Sequence, residues 1–311
     1  MQHKYAEVNG VRLHYATAGR GMLVLFLHGF PEFWYAWRNQ LAEFAAECQV
    51  VAPDLRGYNL SSKPAAVEQY QMSQLVEDVV ALAVHLGHKR FILVGHDWGG
   101  VIAWATALYH PESVGKLVII NAPHPGILAR ELRDNPAQQQ ASQYMLTFRT
   151  PQAEALLSAN NYAYLVEVVL GEGLRTGYFS EADRAAYLEA WSQPGALSGG
   201  LNYYRAALAG PTSPQKERPT TQPNDLASLL VPWPEETSLT VELPTLVIWG
   251  ERDPYLLPGN LNGLEQLVPD LTTLRVPDGS HWVVHEKPTL VNAAIREFLL
   301  QRASQAQFQR H

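Results

Sequence analysis

The 311-residue sequence has a single cysteine, Cys48. An internal disulfide is therefore excluded, and a cysteine-based metal site lacks ligands. Cys48 itself reads as an ordinary small residue, buried or at the surface. No stretch reaches the roughly 18 apolar residues that a membrane span needs. The first residues, Met1-Gln2-His3-Lys4-Tyr5, lack the apolar core of a secretion signal, so a soluble, cytoplasmic protein is expected. Runs of one charge are also missing. The net charge of −7 comes from 23 Lys and Arg against 30 Asp and Glu, with both signs spread along the chain. That excludes a nucleic-acid stripe and a polybasic membrane anchor. Internal repeats and low-complexity segments are absent too. At 47% hydrophobic, the chain can bury a large core, as one domain or as a core with an insertion. Monomer and homodimer both stay open.

Turn signals and apolar runs lay out the chain. Asn9-Gly10 reads as a tight hairpin turn, because both positions tolerate positive φ. Leu23–Leu27 is an unbroken apolar run, the mark of a strand buried on both faces, and residues 49–52, 91–94, 117–120, 245–249 and 273–276 read similarly. Helices are expected at 35–47, 73–86, 100–109 and Pro288–Leu300. Ser73 is the N-cap candidate of the second, with Val76, Val79, Val80 and Ala83 at helical spacing. Strands alternating with helices predict an α/β fold with a mostly parallel sheet flanked by helices.

The alternation stops between about 124 and 240. This stretch is helical, polar and aromatic, and it carries Tyr144, Tyr162, Tyr164, Tyr178, Tyr187, Tyr203 and Tyr204. A proline-rich run with Pro211, Pro214, Pro219, Pro223, Pro232 and Pro234 closes it and reads as an irregular connection. The organisation expected is a core made of residues 1–123 and 241–311, with residues 124–240 inserted as a helical lid. The polar tail, 301–311, is expected to fray.

The chemistry starts at Gly95-His96-Asp97-Trp98-Gly99-Gly100, directly after the apolar run 91–94. A buried strand, a glycine-flanked turn and a helix make the frame of a nucleophile elbow, usually written G-x-S-x-G. Here the central residue is Asp97. A carboxylate at that place attacks an electrophilic carbon and becomes an alkyl ester, which points to epoxide opening or halide displacement instead of ester hydrolysis. The competing reading is a helix N-cap aspartate.

An ester on a carboxylate needs a base to hydrolyse it. Of the eleven histidines, His281 in Asp278-Gly279-Ser280-His281-Trp282 follows the last strand, where this architecture puts the base. His285 is the nearby competitor and looks like part of a following turn. His85, His88 and His110 read as solvated or capping residues at helix ends. The orienting acid should follow the penultimate strand, and Asp253 in Gly250-Glu251-Arg252-Asp253-Pro254 is the choice over Glu251. The loop His28-Gly29-Phe30-Pro31 follows the first buried strand. It can aim a backbone N–H into the site and, with the N–H of Trp98, form an oxyanion hole. Its competing reading is a proline-fixed turn with a structural His28. Opening an epoxide also needs a phenol to protonate the leaving oxygen; spacing alone does not say which lid tyrosines serve.

Together these motifs resemble the epoxide hydrolases of the α/β-hydrolase fold. The matching pieces are residues 28–38, Asp54-Leu55-Arg56-Gly57-Tyr58, Gly95-His96-Asp97-Trp98-Gly99-Gly100, Gly250-Glu251-Arg252-Asp253 and Ser280-His281-Trp282, with residues 192–199 and Asn202-Tyr203-Tyr204-Arg205 in the lid. The resemblance implies Asp97 as nucleophile, Asp253 as acid and His281 as base. It implies Tyr204, and more loosely Tyr144, as ring-opening phenols, and Phe30 and Trp98 as backbone oxyanion donors. It further implies a small hydrophobic epoxide and water as reactants, a vicinal diol as product, and neither metal nor organic cofactor. Phe33, Trp34, Trp98, Tyr164 and Trp191 are candidates for lining the pocket, with packing as the competing role. Perturbed titration is expected at Tyr204 and His281. The polar run 212–224 matches no motif.

Three other readings compete. Haloalkane dehalogenases share the His-Asp-Trp-Gly piece, but Phe30 offers no side-chain donor for a leaving halide. A non-catalytic binding protein on the same fold would be damaged at a catalytic position, and none is damaged here. A serine esterase would need a serine at residue 97.

Overall fold

The computed structural model describes residues 1–207 and 239–300. The proline-rich run holding Pro211 to Pro234, the polar run 212–224 and the tail 301–311 lie outside the described residues.

Eight strands form one sheet: β1 (Gln2–Val8), β2 (Val11–Ala18), β3 (Leu23–Leu27), β4 (Gln49–Pro53), β5 (Phe91–His96), β6 (Val114–Ile120), β7 (Thr245–Gly250) and β8 (Leu271–Val276), in the order β1-β2-β4-β3-β5-β6-β7-β8. β2 is antiparallel to both β1 and β4, and every later pair is parallel. The β1–β2 hairpin turns at Asn9 and Gly10, both at positive φ as that dipeptide allows. The central strands are mostly apolar because both faces are covered. Leu23, Leu25 and Leu27 enter one core cluster, while Val24 and Phe26 enter the other. β8 departs from the expected two-sided burial. It is the edge strand, paired with β7 alone, and Thr272, Thr273 and Arg275 are exposed.

The core helices are α1 (Arg38–Phe44), α2 (Met72–His85) and α3 (Trp98–Tyr109). The stretch expected as one helix over 35–47 is instead a 3-10 turn, Trp34–Trp37, running into α1. Ser73 is not a cap: α2 begins one residue earlier, and Gln71 precedes it without a side-chain cap.

Among the described residues seven α-helices follow between β6 and β7: α4 (Pro125–Asp134), α5 (Pro136–Ala141), α6 (Tyr144–Phe148), α7 (Ala153–Leu165), α8 (Glu172–Thr176), α9 (Glu181–Ser192) and α10 (Ala196–Ala206). α7 is broken inside, where Asn160, Asn161 and Tyr162 take positive φ, and a π-helical turn, Val166–Gly171, continues it. Asparagine tolerates that region; for tyrosine it is strained. α9 opens with a capping box between Ser180 and Asp183. Near the end of the chain come α11 (Val283–Glu286) and α12 (Pro288–Leu300). α1 and α12 cover one sheet face through Leu41, Phe44, Val291 and Ile295, and α2 and α3 cover the other through Leu75, Val79, Ile102 and Trp104.

The helices between β6 and β7 dock on the loops that follow β3 and β4. Trp191 donates to the Pro31 carbonyl at 2.6 Å, and Tyr203 donates to that of Arg56 at 2.8 Å. Among the described residues no helix is long and apolar enough to cross a membrane.

Candidate active site

The loops after β3, β5, β7 and β8 converge at the carboxyl ends of the parallel strands, where open α/β sheets gather functional groups. Asp97 follows β5 directly, at φ 52 and ψ −125, a conformation rarely held by a residue with a side chain. The neighbouring chain leaves no space for relaxation. A Cβ on Gly99 would stand 2.1 Å from the Leu27 carbonyl oxygen, and one on Gly29 would stand 2.3 Å from the Asp97 side chain. Asp97 occupies the cap position of α3, yet its side chain makes no cap hydrogen bond. Its carboxylate turns instead toward the loop after β3, where the Phe30 amide donates to Oδ1 at 2.7 Å.

His281 lies beyond the other oxygen, Nε2 at 3.6 Å from Asp97 Oδ2. Its Nδ1 is bonded to Asp253 Oδ2 at 2.7 Å. Asp253 is buried and fully engaged. The amides of Tyr255 and Leu256 donate to Oδ1, and the Asn121 side chain donates to Oδ2 at 2.8 Å. Burial pushes the Asp253 pKa up, but the His281 charge, the His281 hydrogen bond and the two amides outweigh it and hold it below the usual range. For His281, burial lowers the pKa, whereas Asp253 and Asp97 raise it further, to about 10.

Tyr144 on α6 and Tyr204 on α10 face Asp97 from the inserted helices, their rings 6.3 Å apart and edge-on. Burial, reinforced by the Asp97 charge, holds both phenols well above the ordinary tyrosine range, so both stay protonated. Trp98 sets its ring edge-on to Tyr204 at 5.2 Å. Of the two expected oxyanion donors, Phe30 makes the direct contact with the carboxylate; Trp98 is the first residue of α3, next to Asp97.

Asp97, Tyr144 and Tyr204 border two cavities, one of about 230 Å³ toward α4 and one of about 40 Å³ beside His281. Of the candidate pocket residues, Trp98 lines the larger and Tyr164 the smaller. Phe33, Trp34 and Trp191 line neither. Phe33 stacks on Tyr35, Trp34 meets Phe33 and His3 edge-on, and Trp191 packs on Tyr187. Phe33 and Trp191 pack in the seam between the loop after β3 and the helices between β6 and β7, and Trp34 packs between that loop and β1.

His28 is structural, bonded through Nδ1 to the Gly29 carbonyl and accepting the Leu55 amide at Nε2. His285 sits in α11, buried and away from Asp97, with Nε2 2.6 Å from Glu32 Oε1. Sequence reading passed over this buried Glu32. Besides His285 it accepts from Tyr187 at 2.7 Å, and it stands 3.4 Å from His96, whose Nε2 donates to the His281 carbonyl. Burial raises the Glu32 pKa, yet His285 and His96 pull it well below the carboxylate range. Asn121, which bonds Asp253, and Tyr255, whose ring lies 5.5 Å from that of His281, were also passed over. The one available signal was position: Glu32 extends the His28 loop, and Asn121 immediately follows β6.

A family model described as alpha/beta hydrolase fold matches residues 23–288. The chain is 37% identical to the AB hydrolase superfamily protein YfhM of Bacillus subtilis (strain 168), over 95% of this chain and 97% of that protein. It is 37% identical to epoxide hydrolase 4 of Mus musculus, over 96% of this chain and 79% of the relative. A solved epoxide hydrolase from Bacillus megaterium, in complex with an inhibitor, superposes with a TM-score of 0.86 at 40% identity, over 95% of this chain and 99% of that one. With the elbow, the paired phenols and these likenesses together, the chain belongs to the epoxide hydrolase family of the α/β-hydrolase fold.

Proposed function

We propose that the protein hydrolyses epoxides to vicinal diols through a covalent ester on Asp97. The observation that carries this reading is one arrangement: a carboxylate at the elbow, an imidazole 3.6 Å away and two protonated phenols on the same cavity. The relatives named for epoxide hydrolysis support it.

The epoxide oxygen sits between the Tyr144 and Tyr204 hydroxyls, and Asp97 Oδ2, which lacks the Phe30 amide, attacks a ring carbon. The carbon–oxygen bond of the ring breaks, and a phenol delivers its proton to the new alkoxide. As negative charge leaves Asp97 for the alkoxide, the influence that kept the phenols protonated weakens when transfer is needed. Esterification also removes one of the two charges that raise His281. Its pKa then falls, the ring releases its extra proton to solvent, and the neutral imidazole, held by Asp253, takes a proton from water; the ring regains the released proton from solvent once the Asp97 carboxylate is restored. The hydroxide adds to the Asp97 carbonyl carbon, with the oxyanion at the amides of Phe30 and Trp98. Collapse expels the diol oxygen, protonated by His281, and the carboxyl proton restores the phenol.

In this reading residues 124–240 are a lid over a core of residues 1–123 and 241–311, and the enzyme works in the cytoplasm without a cofactor. The test pairs two assays on purified protein: diol formation from styrene oxide and aliphatic epoxides, and halide release from short bromoalkanes. Diol without halide is the expected result. Halide without diol would replace the reading with a dehalogenase.

A further inference from the structure

Tyr144 and Tyr204 have to meet one oxygen atom, yet they stand on separate helices. α6 has 5 residues, little more than one turn, so its own hydrogen bonds do not fix its direction. Its neighbours must. On the cavity side the Phe148 ring packs edge-on against both phenols, 5.2 Å from Tyr144 and 5.3 Å from Tyr204. Away from the cavity the link is polar. Arg205 follows Tyr204 on α10, so its side chain leaves the helix about 100° round from the phenol. Its guanidinium forms a two-pronged pair with Glu154 of α7, Nη1 to Oε1 at 2.8 Å and Nη2 to Oε2 at 2.9 Å. Nη2 also donates to the Thr150 carbonyl at 3.2 Å, just beyond α6. Ser198 of α10 donates to the same Glu154 carboxylate at 3.0 Å. The Arg205 hydrogen bond holds the Glu154 carboxyl below the usual carboxylate range, so the pair stays charged at neutral pH.

We propose that Arg205 is a positioning residue for ring opening: with Glu154 and the Thr150 carbonyl, it sets the spacing of the Tyr144 and Tyr204 hydroxyls. This rests on the reading above, in which both phenols hold the epoxide oxygen. Arg205 lines neither cavity and acts through the two helices it joins. Each end of the link matters. The Glu154 fork fixes the plane of the guanidinium, and that plane aims Nη2 at the carbonyl beyond α6. Lysine would keep the charge but lacks the planar fork, so it cannot hold both partners in one geometry. Ester hydrolysis draws on other groups: His281, Asp253 and the amides of Phe30 and Trp98 all lie outside the inserted helices. Loss of the link therefore falls on the first half-reaction and spares the second.

The experiment is rapid-quench mixing with saturating styrene oxide. The mass of the intact protein and the diol released, followed together, give the rates of ester formation and ester decay separately. Wild type, Arg205→Met, Arg205→Lys, Tyr144→Phe and Tyr144→Phe/Arg205→Met are compared, with Tm for each. Arg205→Met should slow ester formation about 10- to 100-fold and leave ester decay within about twofold of wild type. Arg205→Lys should fall between the two, and it reports on the same step if Arg205→Met does not fold. With Tyr144→Phe one phenol is left and spacing no longer matters, so adding Arg205→Met should cost no more than about threefold further. Equal slowing of formation and decay, or full additivity of Arg205→Met with Tyr144→Phe, would make Arg205 a support of the fold alone. Either result would overturn the proposal while leaving epoxide hydrolysis standing. A wild type that forms no ester would overturn the functional reading and this proposal with it.

Discussion

The imidazole of His281 is shared between two carboxylates, with Nδ1 2.7 Å from Asp253 and Nε2 3.6 Å from Asp97. Two negative neighbours outweigh the cost of burying the ring, which is why it holds its proton to about pH 10. Removing either charge changes what the ring can do.

The first prediction concerns that titration. In the free protein His281 should titrate near 10, and Asp97→Asn should lower its pKa, both followed by NMR of the imidazole carbon-bound protons. Because the folded pKa lies above the ordinary histidine value of about 6.5, the stabilisation is present in full below about 6.5 and is lost as pH rises to about 10. Tm should fall across that window, and less steeply in Asp97→Asn. An unchanged His281 titration in Asp97→Asn would contradict the shared-charge account.

Removing the base should separate the two half-reactions. His281→Gln should lower turnover by ~10²–10⁴-fold while leaving alkylation of Asp97 intact. Mass spectrometry of the variant with substrate should then show the protein heavier by one epoxide. A variant that turns over slowly without gaining mass would assign His281 to the opening step instead.

Removing the phenols should do the reverse. The double variant Tyr144→Phe/Tyr204→Phe should slow ester formation by ~10²–10⁴-fold, with each single variant less affected. Rapid-mixing measurements of the first half-reaction test this. Full activity of the double variant would remove both tyrosines from the mechanism.

Glu32 makes a prediction about stability. Glu32→Ala strips the buried partner from His285 and Tyr187 and should cost about 3–5 kcal/mol, read from denaturant unfolding. Glu32→Gln keeps a hydrogen-bonding oxygen and should cost less. Equal stability of wild type and Glu32→Ala would show that the cluster relaxes freely.

The sheet was legible because its signal is local. A strand covered on both faces must be apolar at every position, and Leu23–Leu27 satisfies that without reference to the rest of the chain. β8 misled the same rule: at the edge of a sheet only part of a strand is covered, and Leu271–Val276 mixes Leu and Val with Thr and Arg. The elbow was legible for a similar reason. A sharp strand-to-helix turn needs glycines on both sides, and Gly95, Gly99 and Gly100 flank Asp97. Asp253 and His281 could be placed because each follows a readable strand.

The network around Glu32 was not legible, since its members are separated by up to 253 positions and meet only in the folded protein. The same limit explains Phe33, Trp34 and Trp191. An aromatic residue in a loop or helix carries no mark of whether its ring faces a cavity or a neighbouring ring. The break in α7 at Asn160-Asn161 had a local cue in its two asparagines, but helical periodicity on both sides masked it.

The most direct test of the central claim is a single turnover in ¹⁸O-water with enzyme in excess over epoxide. Peptide mass spectrometry then locates the label. Attack by Asp97 predicts ¹⁸O in the Asp97 carboxylate and an unlabelled first-turnover diol, because water enters at the ester carbonyl carbon and the diol takes its second oxygen from Asp97. Label in the diol with none on Asp97 would mean that water opens the ring directly, and the covalent account would fail.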